Sequence, residues 1–337
     1  MLLHYVQIHQ VNSWIDYLVS VLRSNDSTCV ISYDHKGHWP EIKDLPPRLW
    51  LRSSGPITWG GGSQVTALLQ MFIHALTLPQ QWSYLINLSG QDVPLKTPEQ
   101  MADFEKRAKI RNTDAFVNFY GTMGGVAEQL AIWDGIPDSY EDDFEEIFLK
   151  GRVKAEISRV VRARFFSPDT DPEMRYYCRH LFECKNNYAR KCLRIDKPSP
   201  AEIERRRDIL ARYGSHGGRA WYILSRRFVE EFVNSPVARE LAAYLDNVFC
   251  GDELFIQTWI RTESARLKLN IVDANMRFRT GDPVELSDTL VPELEASSAL
   301  FARKFDPARQ PRLAEWIQQR VPAPEVLDIS RLLQQAG

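Results

Sequence analysis

No apolar run in the 337-residue chain approaches the length needed to cross a bilayer. Nothing at its start reads as a secretory leader, because His4, Gln7, His9 and Gln10 interrupt the apolar residues of Met1–Val11. Cysteine is scarce. The five residues (Cys29, Cys178, Cys184, Cys192, Cys250) are odd in number and contain no C-x-x-C pair. That spacing argues against a zinc site or a disulfide framework and predicts free thiols, with room for one bridge in the Cys178–Cys192 cluster. An excess of either charge is missing too: 42 Lys and Arg face 44 Asp and Glu, for a formal charge of −2. With a pI near 6.4, general attraction to nucleic acid or to an anionic membrane is not expected. Internal repeats and low-complexity linkers are absent. So are the Walker-A string and G-x-G-x-x-G. The expectation is a cytoplasmic protein whose membrane contact is at most peripheral.

What is present suits an enzyme-sized globular protein. Hydrophobic residues make up 44% of the chain and aromatics 11%, enough for a large core. The length suggests two domains, or one large one with insertions. Leu2–Ile8 reads as a strand. Trp14–Leu22 has helical periodicity, with Asn12 or Ser13 as its cap. Thr28–Asp34 is a second strand, ending on a carboxylate. Strand, helix, strand is the βαβ pattern, and a right-handed crossover carries Asp34 to the carboxyl end of the sheet. There Asp34-His35-Lys36 can contact a nucleotide, or simply turn in solvent.

The most informative stretch is Trp82–Lys96, W-S-Y-L-I-N-L-S-G-Q-D-V-P-L-K. An apolar strand, Tyr84–Leu88, breaks at Ser89-Gly90-Gln91-Asp92, and Pro94 blocks a helix directly after it. A buried strand thereby delivers a polar loop with one carboxylate to the sheet end where open α/β folds bind ligands. The same letters also fit an ordinary turn. Upstream, Gly60-Gly61-Gly62-Ser63 runs into a helical pattern from Val65 to Leu76. This is either a weak phosphate-binding loop or a tight turn with Ser63 as a cap. Thr97-Pro98-Glu99 opens a further helix, with Thr97 as cap. Ala115–Tyr120 reads as a strand. Residues 134–175 are densely charged, acidic over Asp138–Glu146 and basic over Arg152–Arg164, in the manner of a solvated face. Asp169 and Asp171 form a D-x-D flanked by prolines, far from the first strands.

Three segments of the second half carry chemistry. Gly217–Ser225 joins a loop to an aromatic strand through Arg219 and Trp221, and Ser225–Val233 reads as a capped helix. Asp252 and Glu253 open an apolar helix, either to favour its dipole or to aim a general base at a cleft. Leu300–Asp306, L-F-A-R-K-F-D, alternates apolar and basic groups and also fits a surface strand edge.

Taken together, W-G-G, L-S-G-x-D-x-P-L-K, W-x-x-L-S-R-x-F-V, D-E-x-F-x-Q-T and L-F-A-R-K-F-D resemble, in order and spacing, the core-2/I-branching β-1,6-N-acetylglucosaminyltransferase and peptide O-xylosyltransferase family (glycosyltransferase family 14). The resemblance spans residue 1 to about residue 306. It implies an α/β, GT-A-like nucleotide-sugar-binding fold with a mixed, mostly parallel central sheet flanked by helices. On that reading residues 1–130 form the donor-binding half. Residues 131–306 form the acceptor-binding and catalytic half of the same domain, and residues 307–337 a C-terminal tail. The implied activity is that of an inverting glycosyltransferase moving GlcNAc, xylose or glucose from a UDP-sugar to a hydroxyl of a glycan, glycolipid or peptide. No cofactor and no metal are expected.

The resemblance makes Glu253 the catalytic base and Lys304 the diphosphate contact, with Arg277 or Arg279 as its partner. Fixed cations then replace a metal's electrostatic work. Asp34 becomes a uridine contact, although Ser32 stands where the family has His. Trp59 and Asp92 shape the donor pocket, and Asp252 and Trp221 complete the substrate-binding set. Arg219 replaces a serine usual in the family. The membrane anchor and the disulfides of eukaryotic members are missing, as in a soluble bacterial-type member. Two other classes remain beside the enzyme: a nucleotide-sugar-binding protein without catalysis, and an interaction protein of polysaccharide assembly.

Overall fold

The computed structural model describes residues 1–24, 26–34, 45–54, 57, 62–119, 201, 208–209, 211–214, 216–245, 251–278 and 285–334. The acidic and basic runs of the middle, Asp169, Asp171, Trp59, Arg279 and four of the five cysteines lie outside these residues.

The chain begins with β1 (Leu2–Ile8), α1 (Ser13–Leu22) and β2 (Thr28–Tyr33), followed by β3 (Leu49–Ser53). Next come α2 (Ser63–Thr77), β4 (Tyr84–Ser89), β5 (Val93–Pro94), α3 (Pro98–Ile110) and β6 (Ala115–Val117). Beyond the middle segment lie β7 (Ile223–Ser225), α4 (Arg226–Asn234), α5 (Pro236–Leu245) and α6 (Asp252–Leu267). The short strands β8 (Ile271–Asp273), β9 (Arg277–Phe278) and β10 (Phe301–Ala302) follow, with α7 (Val291–Ala296) between the last two. Helices α8 (Pro311–Arg320) and α9 (Ile329–Gln334) end the described chain.

Seven strands form one sheet in the order β3-β2-β1-β4-β7-β6-β8. The pairs β1–β2, β1–β4, β2–β3 and β6–β8 are parallel, and only β7 runs against its two neighbours. This is the mixed, mostly parallel α/β sheet that the sequence implied. A parallel sheet covered on both faces needs strands apolar on both faces, and β1 supplies them. Leu3 and Tyr5 enter a core shared with α2, α4, α5 and α6. Leu2, Val6 and Ile8 enter the opposite core, shared with α1, α3 and the C-terminal segment. The first core is rich in aromatic edges: Phe232 lies 4.9 Å from Phe255 and 5.0 Å from Trp259, ring to ring. Edge-to-face pairs of this kind add about 0.5–1.5 kcal/mol each beyond their area.

The expected caps are largely realised. Asn12 caps α1 by accepting from the backbone of Trp14 and Ile15. Thr97 and Gln100 complete a reciprocal capping box on α3, with Pro98 in its first turn. Ser225 caps α4. Ser63, however, is the first helical residue of α2 and not its cap; that position falls to Gly62, which has no side chain to offer. The L-F-A-R-K-F-D string is not a surface edge, because Leu300, Phe301, Ala302, Arg303 and Phe305 are all buried. Strand β10 is the centre of a second sheet, β5-β10-β9.

The C-terminal segment is part of the core. Leu313, Ile317, Val321, Ile329 and Leu333 are buried against α1 and its neighbours. The Tyr17 hydroxyl donates to the Val321 carbonyl at 2.7 Å. Asp16 accepts from both the backbone and the hydroxyl of Ser330, each at 2.6 Å. The C-terminal segment through Leu333 is therefore docked on the first helix, where the sequence suggested only a tail.

Candidate functional site

Strands β1, β2 and β4 run in parallel, so their carboxyl ends open at one rim. Asp34 stands there, directly after β2. Its amide donates to the Ile8 carbonyl at 2.8 Å. Its Oδ1 accepts from the Ile57 amide at 3.1 Å, which ties the end of β2 to the segment leading into α2.

The loop after β4 closes on itself. Asp92 Oδ2 accepts from the Ser89 amide at 2.7 Å and from the Ser89 hydroxyl at 2.8 Å. The Gly90 amide donates to the Gln7 carbonyl at 3.0 Å, while a Cβ on Gly90 would come within 2.9 Å of Ile15 Cδ1. Glycine lets the loop lie flat on α1. Asp92 itself is fully buried, and its Oδ1 lies 3.3 Å from Arg277 Nε. Arg277 also donates to the carbonyls of Asn275 and Asn87, and its guanidinium sits 5.0 Å from the Phe301 ring centroid. Burial pulls its pKa down, against the pull of the Asp92 charge. Of the two arginines proposed for a diphosphate, Arg277 is thus held inside the protein as a tie, and Arg279 lies outside the described residues.

The exit of β10 reaches the same rim. The Arg303 amide donates to the Phe278 carbonyl at 3.3 Å, and the Phe305 amide to the Gln91 carbonyl at 3.1 Å. Lys304, half-buried, is therefore held beside the Ser89–Asp92 loop. The Arg303 guanidinium lies 3.7 Å from the Trp221 ring centroid. Charges on Asp92, Arg277, Arg219 and Glu253 all act on it.

Opposite stands the start of α6. Its first turn carries Asp252 and Glu253, and no side chain caps it. Two carboxylates at a helix N-terminus are favoured by the exposed N–H groups and the helix dipole. The strip Gly218–Tyr222 lies across this turn. The Gly218 amide donates to the Glu253 carbonyl at 2.8 Å. A Cβ on Gly218 would stand 1.8 Å from the Asn118 carbonyl oxygen, so only glycine passes there. Two buried amides pin the strip. Gln257 donates to the carbonyls of Arg219 and Asn118. Asn87 donates to the Ala220 carbonyl and accepts from the Tyr222 amide. The Tyr222 hydroxyl reaches the Asp252 carbonyl at 3.0 Å. Trp221 and Arg219 are thereby presented on a fixed backbone.

Asp34, Asp92, Asp252, Glu253, Trp221, Arg277 and Lys304 thus belong to segments that meet at one side of the sheet; Trp59 lies outside the described residues. Asn87, Gln257 and Arg303 were not singled out from the sequence. Arg303 lies within the L-F-A-R-K-F-D string, in which only Lys304 is assigned a role from the sequence. Asn87 was legible only as a polar residue in an apolar strand, and Gln257 as one polar residue in an apolar helix. Among the described residues no three His, Cys, Asp or Glu side chains cluster as a metal-ligand set.

Comparison with known proteins finds similarity over part of the chain. Residues 32–121 match the family model described as Core-2/I-Branching enzyme. A Xylosyltransferase oxt of Drosophila pseudoobscura pseudoobscura is 41% identical over 63 residues, covering 19% of this chain and 7% of the relative. The Xylosyltransferase oxt of Drosophila melanogaster is 40% identical over 63 residues, with the same 19% and 7% coverage. A Xylosyltransferase of Ciona intestinalis is 28% identical over 110 residues, 32% of this chain and 11% of the relative. The chain therefore aligns with only about a tenth or less of the length of these relatives. The segment matched by the family model holds strands β3 to β6 and both the Asp34 and Ser89–Asp92 loops, and over it the chain is similar to the Core-2/I-Branching enzymes.

Proposed function

We propose that the protein is a glycosyltransferase that uses a UDP-sugar and inverts the anomeric carbon without a metal. The observation that supports this best is the convergence at the sheet rim: the acid Glu253 and the cation Arg219 both lie within electrostatic reach of Arg303, next to Lys304. Direct displacement needs both kinds of group. Glu253 takes the proton of the acceptor hydroxyl as its oxygen attacks the anomeric carbon. The bond from that carbon to the diphosphate breaks on the opposite face, and UDP leaves with the bonding pair. Fixed cations, Lys304 first, stabilise the charge that develops on the leaving diphosphate. Asp34 contacts the uridine, Trp59 and Asp92 shape the donor pocket, and Trp221 and Asp252 complete the substrate-binding set. The acceptor is a hydroxyl of a glycan, glycolipid or peptide; the donor sugar is GlcNAc, xylose or glucose.

The test is a panel of UDP-sugars scored for hydrolysis and for a rise in melting temperature, with and without EDTA. One UDP-sugar should be hydrolysed, and the rate should survive chelation. A rate lost to EDTA and restored by manganese would overturn metal independence. No response to any UDP-sugar would overturn the donor assignment.

A further inference from the structure

Gln257 is fully buried in α6, four residues after Glu253 and on the same helix face. Around it the helix is apolar: Leu254, Phe255, Ile256, Trp259 and Ile260 are all buried. An amide in such a row has to find partners, and this one finds two on other segments. Its Nε2 donates to the Arg219 carbonyl at 3.0 Å and to the Asn118 carbonyl at 3.2 Å. One side chain thereby ties α6 to the end of β6 and to the Gly218–Tyr222 strip. Its Oε1 is buried and has no hydrogen-bond partner among the described residues. That acceptor is desolvated without return, so what the amide secures is the register of the two segments it bridges.

The strip lies directly on this face of α6. The Gly218 amide donates to the Glu253 carbonyl, and a Cβ on Gly218 would come within 2.6 Å of Gln257 Nε2. A reciprocal pair holds the approach to the strip. The His216 amide donates to the Thr258 hydroxyl at 3.0 Å, and that hydroxyl donates to the His216 carbonyl at 3.2 Å. Beyond Gly218 the side-chain tie from α6 to the strip is Gln257, and Trp221 follows two residues after the carbonyl it holds.

We propose that Gln257 is a positioning residue: it sets the Gly218–Tyr222 strip against the first turn of α6, and with it the distance between Glu253 and Trp221. The proposal rests on the transferase reading for what that distance serves. A base works only within hydrogen-bond reach of its proton, and a misplacement of about 1 Å can cost about 100-fold in rate.

The experiment uses the full chain with Gln257→Met and Gln257→Glu. Melting temperature, UDP affinity, kcat for the UDP-sugar that the parent uses, and hydrogen exchange over 218–222 are measured for each. Gln257→Met should lower kcat by about 10-fold to 100-fold at unchanged UDP affinity, and exchange over 218–222 should quicken. Gln257→Glu keeps the shape but donates only when its new carboxyl is protonated. Burial and two facing carbonyls favour that protonated form, while the Arg219 and Arg261 cations oppose it. Its kcat relative to the parent should therefore fall as pH rises from about 5 to about 8, whereas the Gln257→Met ratio stays flat. A merely structural role would lower melting temperature and leave kcat and exchange at parental values in folded variants, which overturns the proposal. Loss of UDP affinity in step with kcat also overturns it, because the donor side would have failed as well. A parent that turns over no UDP-sugar removes the transferase reading, and the exchange data then decide: quickening confined to 218–222 keeps the positioning role, and parental exchange ends it. Should Gln257→Met fail to fold, Gln257→Glu near pH 5 carries the same measurements.

Discussion

Glu253 stands second in a helix whose first residue is also acidic, and two physical accounts of it give different outcomes. If both acids only favour the helix dipole, Glu253→Gln should cost about 1 kcal/mol of stability or less and leave turnover intact. If Glu253 takes the acceptor proton, the same substitution should cut the transfer rate constant by about 10²–10⁴-fold at nearly unchanged UDP affinity. Asp252→Asn, measured in parallel, supplies the contrast, and an active Glu253→Gln protein would pass the assignment to Asp252. Lys304 is tested on the other axis. Its charge meets the diphosphate in both ground and transition states, so Lys304→Ala should weaken UDP and slow transfer together. UDP bound as tightly as by the parent would remove Lys304 from the donor site.

The elements divide by how much of their own sequence specifies them. Strands β1, β2 and β4 were legible because each is an apolar run long enough to read and buried on both faces. Helices α1 and α3 were legible from caps that the structure uses. Strand β3, with its half-buried Arg52, was not read as a strand at all. Strands β8, β9 and β10 have two or three residues each, too few for any period, and are set by the partners beside them. The site followed the same division. Acids and cations in quoted strings could be named, but the ties that hold them, Arg277 to Asp92 and Gln257 to Arg219, join residues far apart in the chain. The C-terminal helices were the largest omission, because their partner is α1, some 300 residues away: Ser330 meets Asp16 across 314 positions. Asp16→Ala removes the acceptor of two hydrogen bonds at a buried seam and should lower stability by about 1–3 kcal/mol. Urea unfolding measures it; a variant as stable as the parent would show that the C-terminal helices are held by their apolar contacts alone.

At the scale of the whole molecule the central sheet carries a titratable group inside its buried layer. His4 lies in the middle of β1 with parallel strands on both sides, paired with Cys29 of β2 and Ile86 of β4. It is 1% exposed and meets the edge of Phe301 at 6.4 Å between ring centroids. Neither ring nitrogen has a side-chain partner among the described residues. Burial in this apolar layer lowers its pKa to about 3, opposed by the backbone of Leu22 and by Glu105, with the positive charge of Arg277 acting in the same direction as burial. The unfolded chain therefore binds a proton at His4 below its ordinary value of 6.5, while the folded protein does not until about pH 3. Stability is fully present above pH 6.5 and falls with pH between those two values. The slope from this one group is about 1.4 kcal/mol per pH unit, or about 2 kcal/mol between neutral pH and pH 5. Carboxylates add their own acid dependence, so the measurement is a difference. Urea unfolding of the parent and of His4→Leu at neutral pH and near pH 5 should show the parent losing about 2 kcal/mol more than the variant. Equal losses in the two proteins would mean that His4 is protonated, or hydrated, inside the folded sheet.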